Sequence, residues 1–193
     1  MKRFNLSHLA LFGLVFGLGL VLIACATPPK EEMDKALDAV FRAESDPDAV
    51  AYAPLLLVRA RDSLTRMQSE ADSKNYDGAR QFAAEAVNNA ERAISDGRVA
   101  AARARDEASR ILSDIPRTLE ETTNSVIIAE GLSDLNGLSE EVDLARNTYD
   151  DAQQHFEEEN YIDAISNAET VRSLLSDVNT RINGAAEAVS RKK

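Results

Sequence analysis

The sequence contains one cysteine, Cys25, no tryptophan and only two histidines, His8 and His155. A single cysteine cannot form an intrachain disulfide, so disulfide-rich folds are excluded. So few histidines and cysteines provide no set of residues for a His/Cys metal site, or for Ser-His-Asp or Cys-His catalysis. A glycine-rich phosphate loop is also missing. We therefore expect a protein that is not an enzyme and that has no metal or other cofactor.

Aromatic residues make up only 5% of the chain, and there are eight glycines and five prolines. Alanine, leucine, glutamate, aspartate and arginine are common instead, which is typical of helices that pack through small side chains. The sequence therefore predicts an all-α fold. The net charge of −11 gives no general basis for binding nucleic acid. We interpret the basic cluster Arg98, Arg103, Arg105 and Arg110 as a solvent-exposed helix face.

A positively charged start and an apolar run give the first residues the organisation of a secretion signal. Lys2 and Arg3 precede an apolar run at 9–23, which ends in the sequence Leu22-Ile23-Ala24-Cys25. These four residues resemble the bacterial lipobox. The resemblance implies that signal peptidase II recognises Leu22, Ile23 and Ala24 and cuts before Cys25, whose thiol carries a diacylglyceryl lipid. An uncleaved transmembrane anchor is the alternative, but about 15 apolar residues fall short of the roughly 20 that span a bilayer.

A lipid on Cys25 would attach the protein to a membrane. Acyl chains contribute about 0.8 kcal/mol per buried methylene, and two or three chains give a stable anchor. Residues 25–30 would form a short tether that Pro28 and Pro29 stiffen. We expect the protein to face the periplasm, at the outer membrane of the bacterial cell envelope.

The periodicity of apolar residues divides the rest of the chain into helices. A first helix ends at Asp46-Pro47-Asp48, and a second begins at Pro54 and ends at the turn Ser73-Lys74-Asn75. A long helix is predicted from Tyr76 to Pro116, if Gly97 does not break it. The predicted regions are a signal peptide at 1–24, a lipidated tether at 25–30, a first helical hairpin region at 31–115, a connecting helix and loop at 116–137, and a second helical hairpin at 138–193.

The two hairpins resemble each other at an offset of 85 residues. Asn75, Tyr76 and Ala79 after the first turn recur as Asn160, Tyr161 and Ala164 after the second. This pattern resembles the second half of a tetratricopeptide repeat, in which a tyrosine wedges between helices and small residues allow close packing. We expect Tyr76, Ala79, Tyr161 and Ala164 to pack at the hairpin turns.

The first half of each hairpin lacks the tryptophan and the Leu-Gly pair of that repeat, so we infer no peptide-binding groove. The predicted architecture is two similar, extended antiparallel helical hairpins of coiled-coil or tetratricopeptide-like type. The apolar stripe of the last helix is predicted to continue through Ile182 and Ala185 to Val189. His155 lies beside the acidic turn Glu157-Glu158-Glu159, and we interpret it as a surface residue.

From about Ala49 to Gly97 the sequence also resembles an uncharacterised family of helical bacterial lipoproteins. The residues that carry this resemblance are Tyr52, Ala53, Pro54, Ala60, Leu64, Ala71, Tyr76, Ala79, Ala83, Ala86 and Ala90. The family has no assigned activity. The resemblance therefore implies an outer-membrane or periplasmic setting and no particular chemistry.

Two hypotheses for the function follow. The first is a membrane-anchored, noncatalytic protein-interaction or scaffold module that binds another envelope protein or itself. The second is a structural tether between the outer membrane and peptidoglycan, because both ends of the chain resemble the major outer-membrane lipoprotein. In that resemblance the C-terminal Lys193 would be joined to the cell wall.

Overall fold

The computed structural model describes residues 27–129 and 137–191. This part of the chain consists of six helices and contains no strand, which confirms the all-α prediction. The helices are α1 (Lys30–Ser45), α2 (Pro47–Tyr52), α3 (Pro54–Asp72), α4 (Tyr76–Ala129), α5 (Leu138–Glu157) and α6 (Tyr161–Ser190).

Capping and proline geometry explain the short connection between α1 and α3. α1 ends at Ser45, and the Asp46 carboxylate then accepts a hydrogen bond of 3.0 Å from the Ala49 N–H, which caps α2. Pro47 and Pro54 each begin a helix, where the missing N–H costs nothing because it would have no intrahelical partner. The predicted C-terminal end of α1 and the predicted start of α3 are confirmed. Helix α2 was not predicted.

The prediction that the long helix ends at Pro116 is wrong. α4 is 54 residues long and continues through both Gly97 and Pro116. A proline inside a helix removes one hydrogen bond and crowds the preceding turn. Here buried contacts on both sides of Pro116 offset that cost, since Ile111 and Ile115 belong to one core cluster and Val126 to another. Residues 116–129 are therefore the last part of α4 and not a separate connecting helix.

The chain divides into two compact units. The first unit contains α1, α3 from Leu55 onwards and α4 up to Arg92. Glu44 of α1 forms an ion pair with Arg61 of α3, and Glu32 of α1 lies 3.6 Å from Arg80 of α4. Arg66 of α3 lies over the Phe82 ring of α4, 5.7 Å from its centroid, so each of the three helices contacts the other two. Its buried side chains are mostly alanine: Ala36, Ala39, Val40, Ala43, Leu57, Ala60, Met67, Ala79, Ala83, Ala86 and Ala90.

The second unit contains residues 46–54, α4 from Ala93 onwards, α5 and α6. One core cluster joins Ile111, Leu112 and Ile115 of α4 to buried residues of α5 and α6. A second cluster joins Val126 of α4 to Leu138, Val142 and Val178. The predicted apolar stripe of α6 ends earlier than expected. Val178 is its last fully buried residue, Ile182 is half-buried and packs against the second cluster, and Val189 is 42% exposed.

The two hairpin turns have the same backbone geometry, position by position. Lys74 and Glu159, which are 85 residues apart, both have φ of 61°. Asn75 N–H donates to the Glu70 carbonyl at 2.8 Å, and Asn160 N–H donates to the His155 carbonyl at 2.9 Å. α3 and α5 end, and α4 and α6 begin, at the same offset of 85. The predicted relation between the two hairpins therefore extends to the conformation of the turn.

The structure adds a third helix to each hairpin. The buried residues Ala36, Val40 and Ala43 of α1 correspond to Thr122, Val126 and Ala129 of α4 at an offset of 86. We call α1, α3 and the first part of α4 the first repeat. The last part of α4, α5 and α6 form the second repeat. The prediction of two-helix hairpins was therefore incomplete, since each repeat has three helices.

Candidate interaction surface

The residues predicted to pack at the hairpin turns occupy equivalent places in the two repeats. Tyr76 and Tyr161 are each the first residue of a helix and are half-buried. Ala79 and Ala164, one turn further on, are completely buried. The rings of Tyr161 and Phe156 pack in an edge-to-face arrangement, with centroids 5.5 Å apart and an interplanar angle of 61°. That arrangement is favourable for two aromatic rings and joins the end of α5 to the start of α6.

Two other tyrosines of the second unit have perturbed acidity. Burial raises the pKa of Tyr52, and the nearby Asp48 and Tyr161 raise it further. Burial also raises the pKa of Tyr149, with Asp150 acting in the same direction and a hydrogen bond from Gln153 acting against it. In both cases the main cause is the loss of water around the phenolate form. These shifts indicate packing and do not by themselves indicate a catalytic group.

His155 occupies the position in the second turn that Glu70 occupies in the first. Its Nδ1 atom is buried without a hydrogen-bond partner and lies 4.0 Å from an oxygen of Glu158. In the first turn, Glu70 accepts a hydrogen bond of 2.6 Å from the side chain of Asn75. The two turns thus share a backbone but use different side-chain contacts.

Shallow grooves lie between α1 and α4 in the first repeat, and between the last part of α4 and α6 in the second. The groove in the first repeat has a volume of about 340 Å³, and its counterpart in the second has about 230 Å³. The first is lined by Glu32, Lys35, Arg80, Ala83, Ala84, Val87, Asn88 and Glu91. Val87 and Glu91 are replaced by Arg172 and Ser176 in the second groove. Because the charges differ, the two grooves are not built for one common ligand.

A further groove of about 260 Å³ lies between α4 and α5 in the second unit. Tyr149, Gln153 and Phe156 of α5 face Ser109, Leu112 and Ser113 of α4 there. Among residues 27–129 and 137–191, no group of three or more histidine, cysteine, aspartate or glutamate side chains is arranged to hold a metal ion.

The largest apolar side chain exposed on α1 was missed by the sequence analysis. Phe41 is 69% exposed, and Leu37, one turn before it, is 52% exposed. Met33, Ala36, Val40 and Ala43 form the apolar stripe of α1 at helical spacing, and this stripe faces the core except at the half-buried Met33. The spacing of four residues between Leu37 and Phe41, outside this stripe, could have indicated a second apolar surface on α1.

Several predicted positions lie outside the described residues. They are Leu22, Ile23, Ala24 and Cys25 of the expected lipobox, residues 130–136 of the predicted connecting helix and loop, and Lys193. Within the described part of the chain, none of the helices combines the length and apolar character that crossing a bilayer requires.

Comparison with known protein families identifies one domain. A domain of unknown function, DUF4398, is found at residues 31–109, which cover α1, α2, α3 and the first part of α4. This confirms the expected match to an uncharacterised domain family. No curated protein matches the chain significantly, and neither does any solved structure.

Proposed function

We propose that this chain is a lipid-anchored, noncatalytic protein of the bacterial cell envelope whose helical surfaces bind another protein or a second molecule of the same chain. The observation that carries the anchor is the sequence Leu22-Ile23-Ala24-Cys25 at the end of an apolar run. The first helix begins at Lys30, only five residues after the cysteine. An anchor at Cys25 would therefore hold α1 close to the membrane.

The exposed surface of the described helices supports the interaction role. Large apolar side chains that a monomer leaves in water occur on α1, at Leu37 and Phe41, and at the end of α4, at Ile127 and Ile128. Single exposed apolar residues are common, whereas Leu37 and Phe41 lie four residues apart and form a continuous apolar surface that a partner would cover. The grooves are small, and their lining residues show no common ligand chemistry. Protein contacts through helix faces are therefore the better-supported role.

The anchor is tested by lipid labelling in a Gram-negative host. Cells that express the full chain are grown with radiolabelled palmitate, and the membrane fraction is then separated. We expect label on the wild type and on the adjacent control Ala26→Ser, and none on Cys25→Ser. Unlabelled wild-type protein would show that the anchor is wrong. Crosslinking in intact cells followed by mass spectrometry then identifies the bound protein.

The second candidate is a tether to peptidoglycan through Lys193. Helix α6 continues to Ser190, and the basic sequence Arg191-Lys192-Lys193 follows it. Arg191 forms an ion pair of 3.1 Å with Glu187 in the last turn, which is the favourable place for a cation on a helix. Mass spectrometry of the C-terminal peptide from purified cell wall decides between the candidates. A muropeptide on Lys193 supports the tether, and an unmodified lysine removes it.

A further inference from the structure

The second repeat lies outside the residues that match the domain of unknown function. The match at 31–109 covers all three helices of the first repeat, which are α1, α3 and the first part of α4. The second repeat begins at Pro116, the counterpart of Lys30 at the offset of 86, and α6 ends at Ser190. What kind of domain the second repeat is can therefore be judged from its agreement with the first.

The buried positions of the two repeats agree in all three helices. The paired residues lie 86 apart in the first helix and 85 apart in the second and third helices, and every one of them is at most 5% exposed. The pairs are Ala36 and Thr122, Val40 and Val126, Ala43 and Ala129, Leu57 and Val142, Ala60 and Ala145, Met67 and Ala152, Ala79 and Ala164, Ala83 and Ala168, Ala86 and Val171, Ala90 and Leu175, and Ala93 and Val178.

A common helical rhythm does not explain this agreement. Such a rhythm can align the buried positions of any single pair of amphipathic helices. It does not fix the lengths of the helices or of the turns that join them. Here the second and third helices share one offset across the turn, and the first helix differs by a single residue. That residue falls in the connection between the first and second helices, and connections accept such changes readily.

Identical residues at exposed positions provide independent support, because packing of the core does not require them. In both turns the asparagine side chain bonds to the residue three positions further on, at 3.2 Å from Asn75 to Gly78 and at 2.6 Å from Asn160 to Asp163. The exposed pairs are spaced seven residues apart on the second helix and its turn: Arg61 and Arg146, Gln68 and Gln153, and Asn75 and Asn160. Agreement in turn, core and surface is expected when a segment of a chain is duplicated.

We propose that residues 117–190 are a second, diverged copy of the domain found at 31–109, so that this chain carries two such domains in succession with α4 shared between them. The two copies differ mainly in the size of their buried side chains, since Val171, Leu175 and Val178 replace alanines. Cores accept such replacements when the pattern of buried positions is kept. The proposal does not depend on the lipid anchor.

The duplication indicates which surface the two domains have in common. The side chains that line the two grooves differ, as at Val87 and its counterpart Arg172. The exposed arginine and glutamine of the second helix, α3 or α5, are instead the same in both repeats. A function that both domains share would therefore reside on this exposed face and not in the grooves.

Exchange of corresponding segments within the full-length chain tests the proposal. In the aligned variant, residues 68–83 are replaced by the sequence of residues 153–168, at the offset of 85. This exchange keeps the asparagine, the tyrosine and both buried alanines of the turn region. The matched control inserts the sequence of residues 154–169 instead, which is shifted by one residue. The shift introduces Ala79→Ile and Ala83→Glu at positions that are at most 1% exposed.

We expect the aligned variant to keep the helical circular dichroism signal of the wild type and to unfold cooperatively in urea. Its urea midpoint should fall several-fold less than that of the shifted control, in which a glutamate is buried without a partner. Equal losses in the two variants would overturn the proposal, because the two segments would then not be equivalent position by position.

An experimental structure of the full-length chain gives a second readout that does not depend on the folding of a variant. We expect the backbone of the three helices of one repeat to superpose on that of the other at the offsets of 86 and 85. A structure in which the last part of α4 packs differently against α5 and α6 than α1 packs against α3 and the first part of α4 would overturn the second domain.

Discussion

Replacement of Gly97 by alanine tests the position of α2. Gly97 lies inside α4, and a Cβ atom there would lie 2.7 Å from the carbonyl oxygen of Asp48 and 2.8 Å from the nitrogen of Ala49. Real Cβ atoms essentially never come that close to other heavy atoms. Because both neighbours are backbone atoms, rotation of a side chain cannot relieve the contact. We expect Gly97→Ala to push α2 away from α4 and to weaken the ion pair of 3.2 Å between Arg98 and Asp46.

The size of the effect follows from two opposing contributions. An extra carbon atom in a tightly packed place costs about 1–3 kcal/mol. Alanine is favoured over glycine inside a helix by about 1 kcal/mol, which offsets part of that cost. Gly184 of α6 supplies the control, because a Cβ atom there meets nothing within 4 Å. Gly184→Ala therefore gains the helix contribution alone, and it should stabilise the protein by about 1 kcal/mol.

Urea unfolding of the two variants isolates the steric cost, since the helix preference of alanine is common to both. We expect Gly97→Ala to be less stable than Gly184→Ala by about 1–3 kcal/mol. The transition should be followed by circular dichroism. The dependence of the unfolding free energy on urea concentration should be compared with that of the wild type, because a changed slope would indicate a changed unfolded state. Equal stability of the two variants would show that α2 does not lie against α4 at Gly97.

Three further predictions concern the second unit. Thr122→Ala removes the acceptor of the partly buried 2.8 Å hydrogen bond from the Asn179 side chain. It should cost about 1 kcal/mol in urea unfolding, whereas adding Asn179→Ile should recover most of this because an apolar pair then replaces both hydrogen-bonding partners. Pro116→Ala should stabilise the exposed middle of α4 by up to about 3 kcal/mol, measured as a higher urea midpoint; an unchanged midpoint would contradict the cost assigned to the proline. Because burial raises the pKa values of Tyr52 and Tyr149 in the folded state, the unfolded chain loses these protons first, so their contribution to stability is complete below about pH 10 and lost as the pH rises above it. The double Tyr→Phe variant should lack this alkaline loss in urea midpoints measured from pH 9 to 11, and an identical loss in both proteins would refute the assignment.

The sequence was sufficient to predict the turns and most of the buried positions. An asparagine and a tyrosine after each turn, followed by small residues at regular helical spacing, define one buried face of α4 and of α6. These signals are local, and both repeats carry them. The offset of 85 could therefore be read from the sequence before the backbone geometry was known.

The equivalence of α1 in the first repeat and the last part of α4 in the second could not be predicted in the same way. The two helices correspond at an offset of 86 residues and not 85. At this offset Ala36 corresponds to Thr122, which is a different type of residue. The end of α4 was also placed wrongly, because the rule for Pro116 is local and the contacts that offset its cost come from α5 and α6. The exposure of Phe41 depends on where α3 and α4 pack against α1, which no local pattern contains.

The buried side chains of the second repeat are larger than those at the corresponding positions of the first. Ala86, Ala90 and Ala93 of the first repeat correspond to Val171, Leu175 and Val178 of the second, and all six are at most 1% exposed. Each buried methylene contributes about 0.8 kcal/mol, so the second repeat gains several kcal/mol at these positions. At one position the first repeat has the larger buried residue, since Met67 corresponds to Ala152, but this offsets only part of the difference.

The first repeat should therefore open more easily than the second. Hydrogen exchange on the purified protein should show faster exchange in α3 than in α5, because α3 packs against the smaller buried side chains. Equal exchange of α3 and α5 would mean that the smaller alanine core does not lower the local stability.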